Sequence, residues 1–303
     1  MKTAPSIAIL VCVHNALDDV KLCLAAINQA DYEGRLSIVI VDDGSNAATA
    51  QYLEFFAEGA PEVELIRRDA AKGYTNSANT ALKATDADFL ILLNSDTIPS
   101  RQSFRKIVEV FQTSSDVGIV GPLSNAASWQ SVPDLSAPGG GWSENPLPDG
   151  VSADDVDRML DSADIELPKT VRTPLVNGFC FAIRRLVIDE IGYLDEDSFP
   201  FGYGEEDDFC LRAADAGFGI AIAIRAFVYH AKSKSFGHEK RSKLNAQGQV
   251  ALKKKHGETR LQRAVEALRL NPYLGAVRDA IRTSLTTTHK PRIRENEDRV
   301  PHH

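Results

Sequence analysis

The sequence predicts an α/β fold with a mostly parallel central sheet flanked by helices, followed by a helical extension at the C-terminal end. Short runs rich in Val and Ile alternate with segments whose apolar residues recur at helical spacing. Strands that alternate with helices of this length indicate βαβ units, which form parallel sheets. Ligands of such sheets bind at the carboxyl ends of the strands, so the strand ends are where chemistry is expected.

The elements of the first 120 residues follow one another in a regular order. Each predicted strand is an apolar run bounded by polar residues, and each predicted helix carries apolar residues three and four positions apart. The predicted strands are 7–13, 36–41, 63–67, 89–93 and 117–120, and the predicted helices are 17–29, 48–57, 74–84 and 101–112.

Residues 122–172 interrupt this alternation. The segment is rich in Pro and Gly, holds both tryptophans, Trp129 and Trp142, and shows helical periodicity only at 153–162. Long loops in compact domains are usually functional or disordered. We therefore interpret 122–172 as an insertion into the domain.

The second half of the chain resumes the pattern and then becomes helical. A strand at 177–183, a helix at 206–216 and a strand at 220–229 are predicted to complete a domain that spans residues 1–240. A helical extension, 241–288, follows; it looks helical to about residue 270, with a further helix after Pro272, and 289–303 reads as a disordered tail.

Composition limits the function classes. The chain has 303 residues, of which 43% are hydrophobic and 25% charged, and its formal net charge is -8. This is ordinary globular composition, and the negative charge argues against nucleic-acid binding. The four scattered cysteines form no CxxC pair, which favours a reducing compartment. We expect a cytoplasmic protein, with a peripheral contact at the inner face of a membrane left open; oligomeric state stays undetermined.

Two adjacent acids follow the second predicted strand. Asp42 and Asp43 stand directly before Gly44, which allows a tight turn. A carboxylate at this edge of the sheet can accept hydrogen bonds from the imide N–H of a nucleotide base or from ribose hydroxyls. The pair is equally compatible with an Asx turn that caps the following helix.

The fourth predicted strand also ends in polar residues. Asn94, Ser95 and Asp96 follow a strongly apolar run, and Asn94 and Asp96 are two positions apart, so their oxygens face one side. Carboxylate and amide oxygens suit a hard divalent cation that is also bound by phosphate oxygens. A helix N-cap is the alternative interpretation.

Taken together, these segments resemble the family 2 glycosyltransferases, which have the nucleotide-sugar fold called GT-A. The likeness covers roughly residues 6 to 240, which would form the GT-A catalytic domain, and it is greatest for the rhamnosyltransferase-like branch that builds bacterial surface polysaccharides. The matching segments occur in the family's order, at 11–15, 41–45, 72–79, 92–97, 177–180, 204–212 and 229–236.

The resemblance implies a donor pocket for a nucleoside-diphosphate sugar of the UDP or dTDP type. Asp42, with Asp43, would hold the base and ribose, with further pocket residues on both sides of the sheet edge. Those further residues are His14, Asn15, Lys72, Gly73, Asn79, Asn94 and Ser95.

The resemblance also implies a metal site for Mn²⁺ or Mg²⁺. Asp96 would bind the metal that bridges the diphosphate, and His230 would be a further ligand or a diphosphate contact, with Lys232 and Lys234 facing the leaving group. Asn94 stands where the family usually has the first acid of its Asp-x-Asp motif. The site therefore has one charge less, and metal binding should depend more on the diphosphate.

The acidic run 205–208 matches the family's catalytic segment. Alignment with the family's usual Asp-Leu pair makes Glu206 the base that deprotonates the acceptor hydroxyl, with Asp207 in reserve. Crowded carboxylates raise each other's pKa, as a general base requires. Glu205 and Asp208 would orient the acceptor or the backbone. An acidic first turn that only interacts with the helix dipole is the alternative.

The acceptor side would include Asn177 and Gly178, and Trp129 in the insertion. Aromatic rings stack well on sugar faces, although packing under a long loop explains Trp129 and Trp142 equally well.

The basic stretch from Lys232 to His256 is either a solvated helix face or a basic rim for phosphates and anionic headgroups.

The sequence therefore predicts a metal-dependent, inverting glycosyltransferase that acts on a glycan or lipid-linked glycan hydroxyl. A catalytically silent nucleotide- or glycan-binding protein on the same fold is the alternative, kept open by Asn94 and by Glu206, where Asp is more common. A nucleotidyltransferase is disfavoured because the first strand ends in Val13, His14 and Asn15 rather than in a Gly-rich loop. A phosphate-receiver domain would carry its acids on the first strand instead of the second.

Overall fold

The computed structural model describes residues 4–163, 168, 170–232 and 238–288, and in these residues it confirms the α/β prediction. The strands are β1 Ile7–Val13, β2 Leu36–Asp43, β3 Val63–Arg68, β4 Phe89–Asn94, β5 Thr97–Pro99, β6 Val117–Leu123, β7 Val171–Arg172, β8 Cys180–Arg184 and β9 Gly219–His230. The helices are α1 Leu17–Ile27, α2 Ala47–Glu58, α3 Tyr74–Lys83, α4 Ser103–Thr113, α5 Ala153–Ser162, α6 Arg185–Ile191, α7 Glu205–Asp215, α8 His238–His256, α9 Glu258–Arg269 and α10 Pro272–Thr288.

The strands of the described residues form one sheet in the order β3-β2-β1-β4-β8-β6-β9-β5, with β7 paired to β9. Strands β3, β2, β1 and β4 are mutually parallel. Val13 lies beside Asp42, and Cys12 lies beside Asn94. The register therefore brings the ends of β1, β2 and β4 to one edge, where the sequence predicted the site.

The core lies on both faces of the sheet because successive side chains of the central strands point in opposite directions. In β1, Ala8 and Leu10 pack with α3, α7 and the C-terminal helices. Ile7, Ile9 and Val11 pack on the other face with α1 and α4. Both faces of the parallel block are thus dry, which explains the continuous apolar runs.

The sheet departs from the prediction in its second half, where it is mixed. Strand β8 runs antiparallel between β4 and β6, and β5 runs antiparallel to β9. Parallel neighbours need a connection that returns the chain to the edge where the preceding strand began. Strand β8 follows the long insertion and enters the sheet at the opposite edge, so it runs antiparallel to β4 and β6. The short elements β5, β7 and α6 were not predicted, since two to seven residues carry little periodicity.

The C-terminal helices pack against the domain. The region predicted to be helical to about residue 270 consists of two helices, because Gly257, with φ +79°, separates α8 from α9. Helix α8 contacts α7, and α10 contacts α5 of the insertion. No helix in the described part is both long and apolar enough to cross a membrane. The predicted tail, 289–303, lies outside the described residues.

Candidate active site

Asp42 closes the turn after β2. Its side chain is fully buried, and its Oδ1 accepts a hydrogen bond of 2.9 Å from the backbone N–H of Ser45. Its Oδ2 lies 3.4 Å from Nε of Arg67 and accepts no hydrogen bond from the described residues. Contact of Asp42 with the base or ribose stays a prediction, and Oδ2 is the oxygen left without a hydrogen bond among the described residues. The following helix is capped instead by Asn46, whose side-chain oxygen accepts from the backbone N–H of Thr49, so Asp42 is not the helix cap of the alternative interpretation.

Asp43 holds the loop that leads into α3. Its carboxylate accepts hydrogen bonds of 2.9 Å from the backbone N–H groups of Lys72 and Gly73 and from Nη1 of Arg68. Burial raises the pKa of Asp43, but these hydrogen bonds outweigh it and hold the pKa below its usual range. The carboxylate therefore remains charged and fixes the donor-side loop to the end of β2.

The ends of β1 and β2 are bonded to each other. The backbone N–H of Asn15 donates to Oγ of Ser45 at 2.8 Å, and the backbone N–H of Asn46 donates to Oδ1 of Asn15 at 2.8 Å. His14 is exposed, and its Nδ1 lies 2.8 Å from the carbonyl oxygen of Asp43, so Nδ1 carries the proton. His14 and Asn15 thus lie beside Asp43, as predicted.

Gly73 sits where the donor-side loop meets the loop before α7. Its φ is +98°, which disfavours other residues, and a Cβ there would lie 2.5 Å from the carbonyl oxygen of Pro200. The hydroxyl of Thr75 in α3 also donates to the carbonyl oxygen of Phe199. The two loops are therefore in direct contact beside the side chain of Lys72, which is exposed.

Asn79 is the clearest correction among the predicted donor-side residues. Its amide nitrogen donates to the carbonyl oxygen of Leu194 at 2.9 Å and to Glu196 at 2.8 Å. Its oxygen accepts the N–H of Leu194 at 3.0 Å, and the residue is buried. Both amide hydrogens are therefore used, and burial keeps the oxygen away from a ligand. Asn79 anchors the segment after α6 instead.

The turn between β4 and β5 carries the predicted metal-binding residues. The hydroxyl of Thr97 donates to the carbonyl oxygen of Asn94 at 2.7 Å, which makes the turn tight. Asn94, Ser95 and Asp96 are all partly exposed along this turn. This exposure agrees with the prediction that the strand-end oxygens are available to a ligand at the open edge of the sheet.

Asp96 and His230 are adjacent although they are far apart in the chain. Strand β5 pairs with the end of β9, and the N–H of Ala231 donates to the carbonyl oxygen of Asp96 at 2.9 Å. Oδ1 of Asp96 lies 3.3 Å from Nε2 of His230. The predicted pairing of these two residues is therefore present in the structure.

The insertion orients the His230 ring. Nδ1 of His230 lies 3.0 Å from the carbonyl oxygen of Ala126 and donates to it, which leaves Nε2 facing Asp96. The ring stacks on Phe179, with centroids 5.4 Å apart. Asn125 fixes the backbone of His230 through hydrogen bonds of 2.7 and 3.1 Å.

These residues fit a divalent metal site of the kind expected. A carboxylate and an imidazole nitrogen are suitable ligands, and the Nδ1–carbonyl bond is the outer contact that metal-binding histidines usually make. Within the described ranges, no group of three or more His, Cys, Asp or Glu side chains is arranged to hold a metal. Diphosphate oxygens would have to complete the coordination.

Lys232 follows His230 by two residues, has φ +57°, and is partly buried. This places it beside the candidate metal site, as predicted. Lys234 lies outside the described residues.

Glu206 lies in the first turn of α7, against the strand-entry loop of β8. A Cβ on Gly178 would lie 3.5 Å from the side chain of Glu206, so these two predicted residues are in contact. Oε2 of Glu206 is 3.3 Å from the backbone N–H of Gly204. Asn177 precedes Gly178 and is partly exposed, while its backbone N–H donates to Oε1 of Gln130 at 2.6 Å.

The acids on either side of Glu206 have raised pKa values. Burial and then repulsion by Glu206 raise the pKa of Glu205 well above its usual range, and the same two causes raise the pKa of Asp207. Oε2 of Glu205 is buried and has no hydrogen-bond partner among the described residues. The first turn of α7 therefore concentrates protonatable carboxyl groups, as the sequence predicted.

Asp208 differs from its three neighbours. Its side chain is fully buried, and it is bound by Arg212 at 2.9 Å, Lys255 at 2.7 Å and His256 at 2.8 Å. The expectation of a substrate-binding Asp208 is corrected, because its carboxylate has no exposed surface that a substrate could reach. The alternative that it orients the backbone agrees with these contacts.

The two tryptophans of the insertion form an edge-to-face pair. Their ring centroids are 4.8 Å apart with an interplanar angle of 79°, and Trp142 is 48% exposed. Trp129 packs partly on the core. Nη2 of Arg278 in α10 donates to the carbonyl oxygen of Trp129 at 2.5 Å and its Nε to that of Ser131 at 3.0 Å. Trp129 thus supports an exposed indole face.

Three residues that shape the site were not predicted from the sequence. Arg68 and Asn125 each lie at or just after the end of a strand, β3 and β6, so the strand-end rule could have found them. Lys255 carries no comparable signal, because it is one of three consecutive lysines.

Comparison with known proteins gives a consistent result. The family model of glycosyl transferase family 2 matches residues 8–192, more than half of the chain. Glycosyltransferase AglE of Haloferax volcanii is 24% identical over 226 residues, which are 73% of this chain and 65% of that protein. An N-acetylglucosaminyltransferase of Azorhizobium caulinodans is 27% identical over 39% of this chain and 30% of its own length. The chain thus matches less than two thirds of the length of these relatives.

Two solved structures show the same fold. Mannosyltransferase PcManGT from Pyrobaculum calidifontis, in complex with GDP-Man and Mn²⁺, superposes with a TM-score of 0.61 at 16% identity, covering 96% of this chain and 79% of that one. GalNAc-T7 with UDP, GalNAc and Mn²⁺ gives 0.63 at 14% identity, covering 96% and 59%. The GT-A fold expected from the sequence is confirmed.

Proposed function

Because the chain belongs to glycosyl transferase family 2, we propose that it transfers a sugar from a nucleoside-diphosphate donor, of the UDP or dTDP type, to a hydroxyl group of a glycan or lipid-linked glycan. We place this reaction in the synthesis of surface polysaccharide, in the rhamnosyltransferase-like branch, with inversion at the anomeric carbon. The proposal extends the expectation drawn from the sequence motifs.

The observation that carries the proposal is the pairing of Asp96 with His230. Their side chains are 3.3 Å apart at the edge where β1, β2 and β4 end, and the insertion orients the His230 ring. An imidazole whose Nδ1 is held by a backbone carbonyl, with Nε2 facing a carboxylate, has the outer contact that metal-binding histidines usually make. The neighbouring structures named for a nucleotide sugar or nucleotide with Mn²⁺ support the same interpretation.

We propose that Asp96 and His230 hold Mn²⁺ or Mg²⁺ together with the donor diphosphate. A divalent ion bound there would neutralise charge on the departing nucleoside diphosphate. Lys232 lies two residues beyond His230 and would add positive charge on the same side. Asp43 keeps the 72–73 loop in place, so that Lys72 and His14 line the nucleotide pocket.

Glu206 is proposed as the general base. It takes the proton of the acceptor hydroxyl while that oxygen bonds to the anomeric carbon and the bond to the diphosphate oxygen breaks. Its contact with Gly178 places it beside the predicted acceptor loop. Burial and repulsion by Glu206 raise the pKa of Glu205 and of Asp207, which favours their protonated forms and limits repulsion around the base.

A binding screen followed by a product assay tests the proposal. Thermal shift is measured with nucleoside diphosphates and their sugars, with and without Mn²⁺ or Mg²⁺. A ligand at 100 times its dissociation constant stabilises the folded protein by roughly 2.7 kcal/mol, which is a visible shift. A metal-dependent shift with release of nucleoside diphosphate on acceptor addition is expected. A shift without any product release favours the silent binding protein, and no shift with any nucleotide contradicts the donor site.

A further inference from the structure

Helix α8 of the C-terminal extension reaches the candidate catalytic turn through a buried carboxylate. Oδ1 of Asp208 accepts from Nζ of Lys255 at 2.7 Å and from Nε2 of His256 at 2.8 Å, while Oδ2 accepts from Nε of Arg212 at 2.9 Å. Asp208 has no exposed side-chain surface, so its charge depends on these three partners. Two of the three come from α8, and only Arg212 belongs to α7 itself.

Lys255 also binds the segment before α7. Its Nζ lies 2.6 Å from Oδ2 of Asp195 and 5.6 Å from the centre of the Phe199 ring. Its side chain is only 28% exposed. One ammonium group therefore joins the start of the 195–204 loop to the first turn of α7.

Helix α8 packs on this loop at unusually short range. A Cβ on Gly248 would lie 1.7 Å from the carbonyl oxygen of Tyr203, so only glycine allows this approach. One turn further along α8, Leu252 packs against Gly204, where a Cβ would lie 3.1 Å from Leu252. The helix thus covers the two residues that directly precede the acids of α7.

The same loop contacts the donor side of the site. The carbonyl oxygen of Pro200 lies against Gly73, and that of Phe199 accepts from Thr75. A displacement of the loop would therefore affect the position of Glu206 and the edge of the donor pocket together. The contacts of α8 with the loop are made at other residues, Tyr203 and Gly204.

We propose that Lys255 and His256 are positioning residues, which hold the first turn of α7 in place through Asp208 so that Glu206 meets the acceptor hydroxyl. This inference rests on the proposed function, because it takes Glu206 as the base. In this proposal, the C-terminal extension helps to set the geometry of the catalytic site. Neither residue touches the substrate in this proposal.

The test compares Lys255→Met with Lys254→Met. The two variants remove the same charge from adjacent residues, but Lys254 is exposed and forms no hydrogen bond or ion pair with the residues that the structure describes. Lys255→Met is expected to lower kcat by roughly tenfold, since small displacements of a catalytic group are costly in rate. It should leave the KM for the donor within about twofold, and Lys255→Arg should recover most of the loss.

Hydrogen exchange provides a readout that does not depend on turnover. In Lys255→Met, the amides of 208–211, which donate to carbonyl oxygens one turn earlier, should exchange faster than in the parent protein, while those of β1 and β4 stay protected. Lys254→Met should leave both regions unchanged. If the parent shows no transfer with any donor but the α7 amides still respond, the glycosyltransferase proposal fails and the contact between α8 and α7 stands.

Two results would overturn the inference. One is a folded Lys255→Met protein whose kcat equals that of Lys254→Met. The other is a loss of kcat without any change in α7 exchange, since the effect would then not pass through the position of this helix. A third variant, His256→Gln, should show the same pattern to a smaller extent if both α8 residues act through Asp208.

Discussion

The two halves of the site are built by different kinds of contact. In the donor half, residues 4–123, Asp43 is held by backbone N–H groups of a loop that follows the neighbouring strand. In the acceptor half, residues 124–288, Asp208 is held by side chains, two of which come from the C-terminal extension. Short strand-end loops thus shape the first half, whereas contacts between distant helices shape the second.

This difference predicts different consequences of mutation. Changes in the donor half should weaken nucleotide binding together with turnover. Changes in the acceptor half should reduce turnover or acceptor use and leave nucleotide binding intact. Asp96 and His230 join the halves, so their removal should have the largest effect.

Asp96→Asn is expected to reduce kcat/KM by about a hundredfold or more, because a metal that stabilises the leaving group contributes several kcal/mol to the rate. The metal-dependent part of the thermal shift with nucleoside diphosphate should disappear as well. Asp86→Asn, at an aspartate that is 94% exposed, is the matched control and should behave as the parent. Full activity in Asp96→Asn would remove Asp96 from the metal site.

Gly73→Ala should weaken nucleotide binding and destabilise the protein. The positive φ alone costs about 1–3 kcal/mol in a residue with a side chain, and the contact with Pro200 adds to it. Gly150→Ala isolates the backbone cost, since Gly150 has φ +76° and open space around it. Urea unfolding of both variants should show the larger loss for Gly73→Ala, and equal losses would contradict the contact.

Glu205→Gln should change how stability depends on pH and spare nucleotide binding. Burial and Glu206 raise the pKa of Glu205 in the folded state, so above the ordinary pKa the folded protein binds more protons than the unfolded chain. This contribution makes the parent lose stability as pH rises, and Gln removes it. The advantage of the variant should therefore grow from about pH 5 to about pH 8.

The free energy of unfolding at several pH values measures this slope. Glu62→Gln, at an exposed glutamate, serves as the control and should keep the slope of the parent. If the free energy of unfolding changes with pH by the same slope in Glu205→Gln and in the parent, Glu205 is not a source of the pH dependence.

Trp142→Ala should have the smallest effect, confined to the acceptor. Loss of a stacked indole is worth roughly 0.5–1.5 kcal/mol, so the KM for the acceptor should rise about threefold to tenfold while the KM for the donor stays unchanged. Trp142→Phe should retain part of the affinity. Phe55→Ala, at a ring that is 76% exposed on α2, controls for the loss of a surface aromatic. A changed KM for the donor would instead show that Trp142 contributes to donor binding.

The same contrast explains how far the sequence could be interpreted. In the donor half, every predicted element is present within a few residues, because each strand is an uninterrupted apolar run and each helix buries one stripe. The register then brings the strand-end residues together, as expected for parallel strands. The pairing of Asp96 with His230 was anticipated from the family resemblance, and periodicity gave no sign of it.

Individual roles were predicted less well where long-range partners decide them. Asn79 and Asp208 are polar residues in motif positions, but segments far along the chain occupy their hydrogen-bonding atoms. Asp42 is enclosed by its own turn. The antiparallel entry of β8 depends on the path of the insertion, which has no periodic signal. The residues around Asn79 or Asp208 in the sequence carry no information about partners that lie far along the chain.

The bonds from Arg278 to the carbonyl oxygens of Trp129 and Ser131 have a consequence for protein engineering. The family match ends at residue 192, before Glu206 and His230, and would suggest that residues 193–288 can be exchanged separately. Helix α10, however, binds the insertion, and α8 binds α7. To give this chain the acceptor preference of a relative, residues 124–288 should therefore be replaced together by the relative's matching segment, with the junction just after β6.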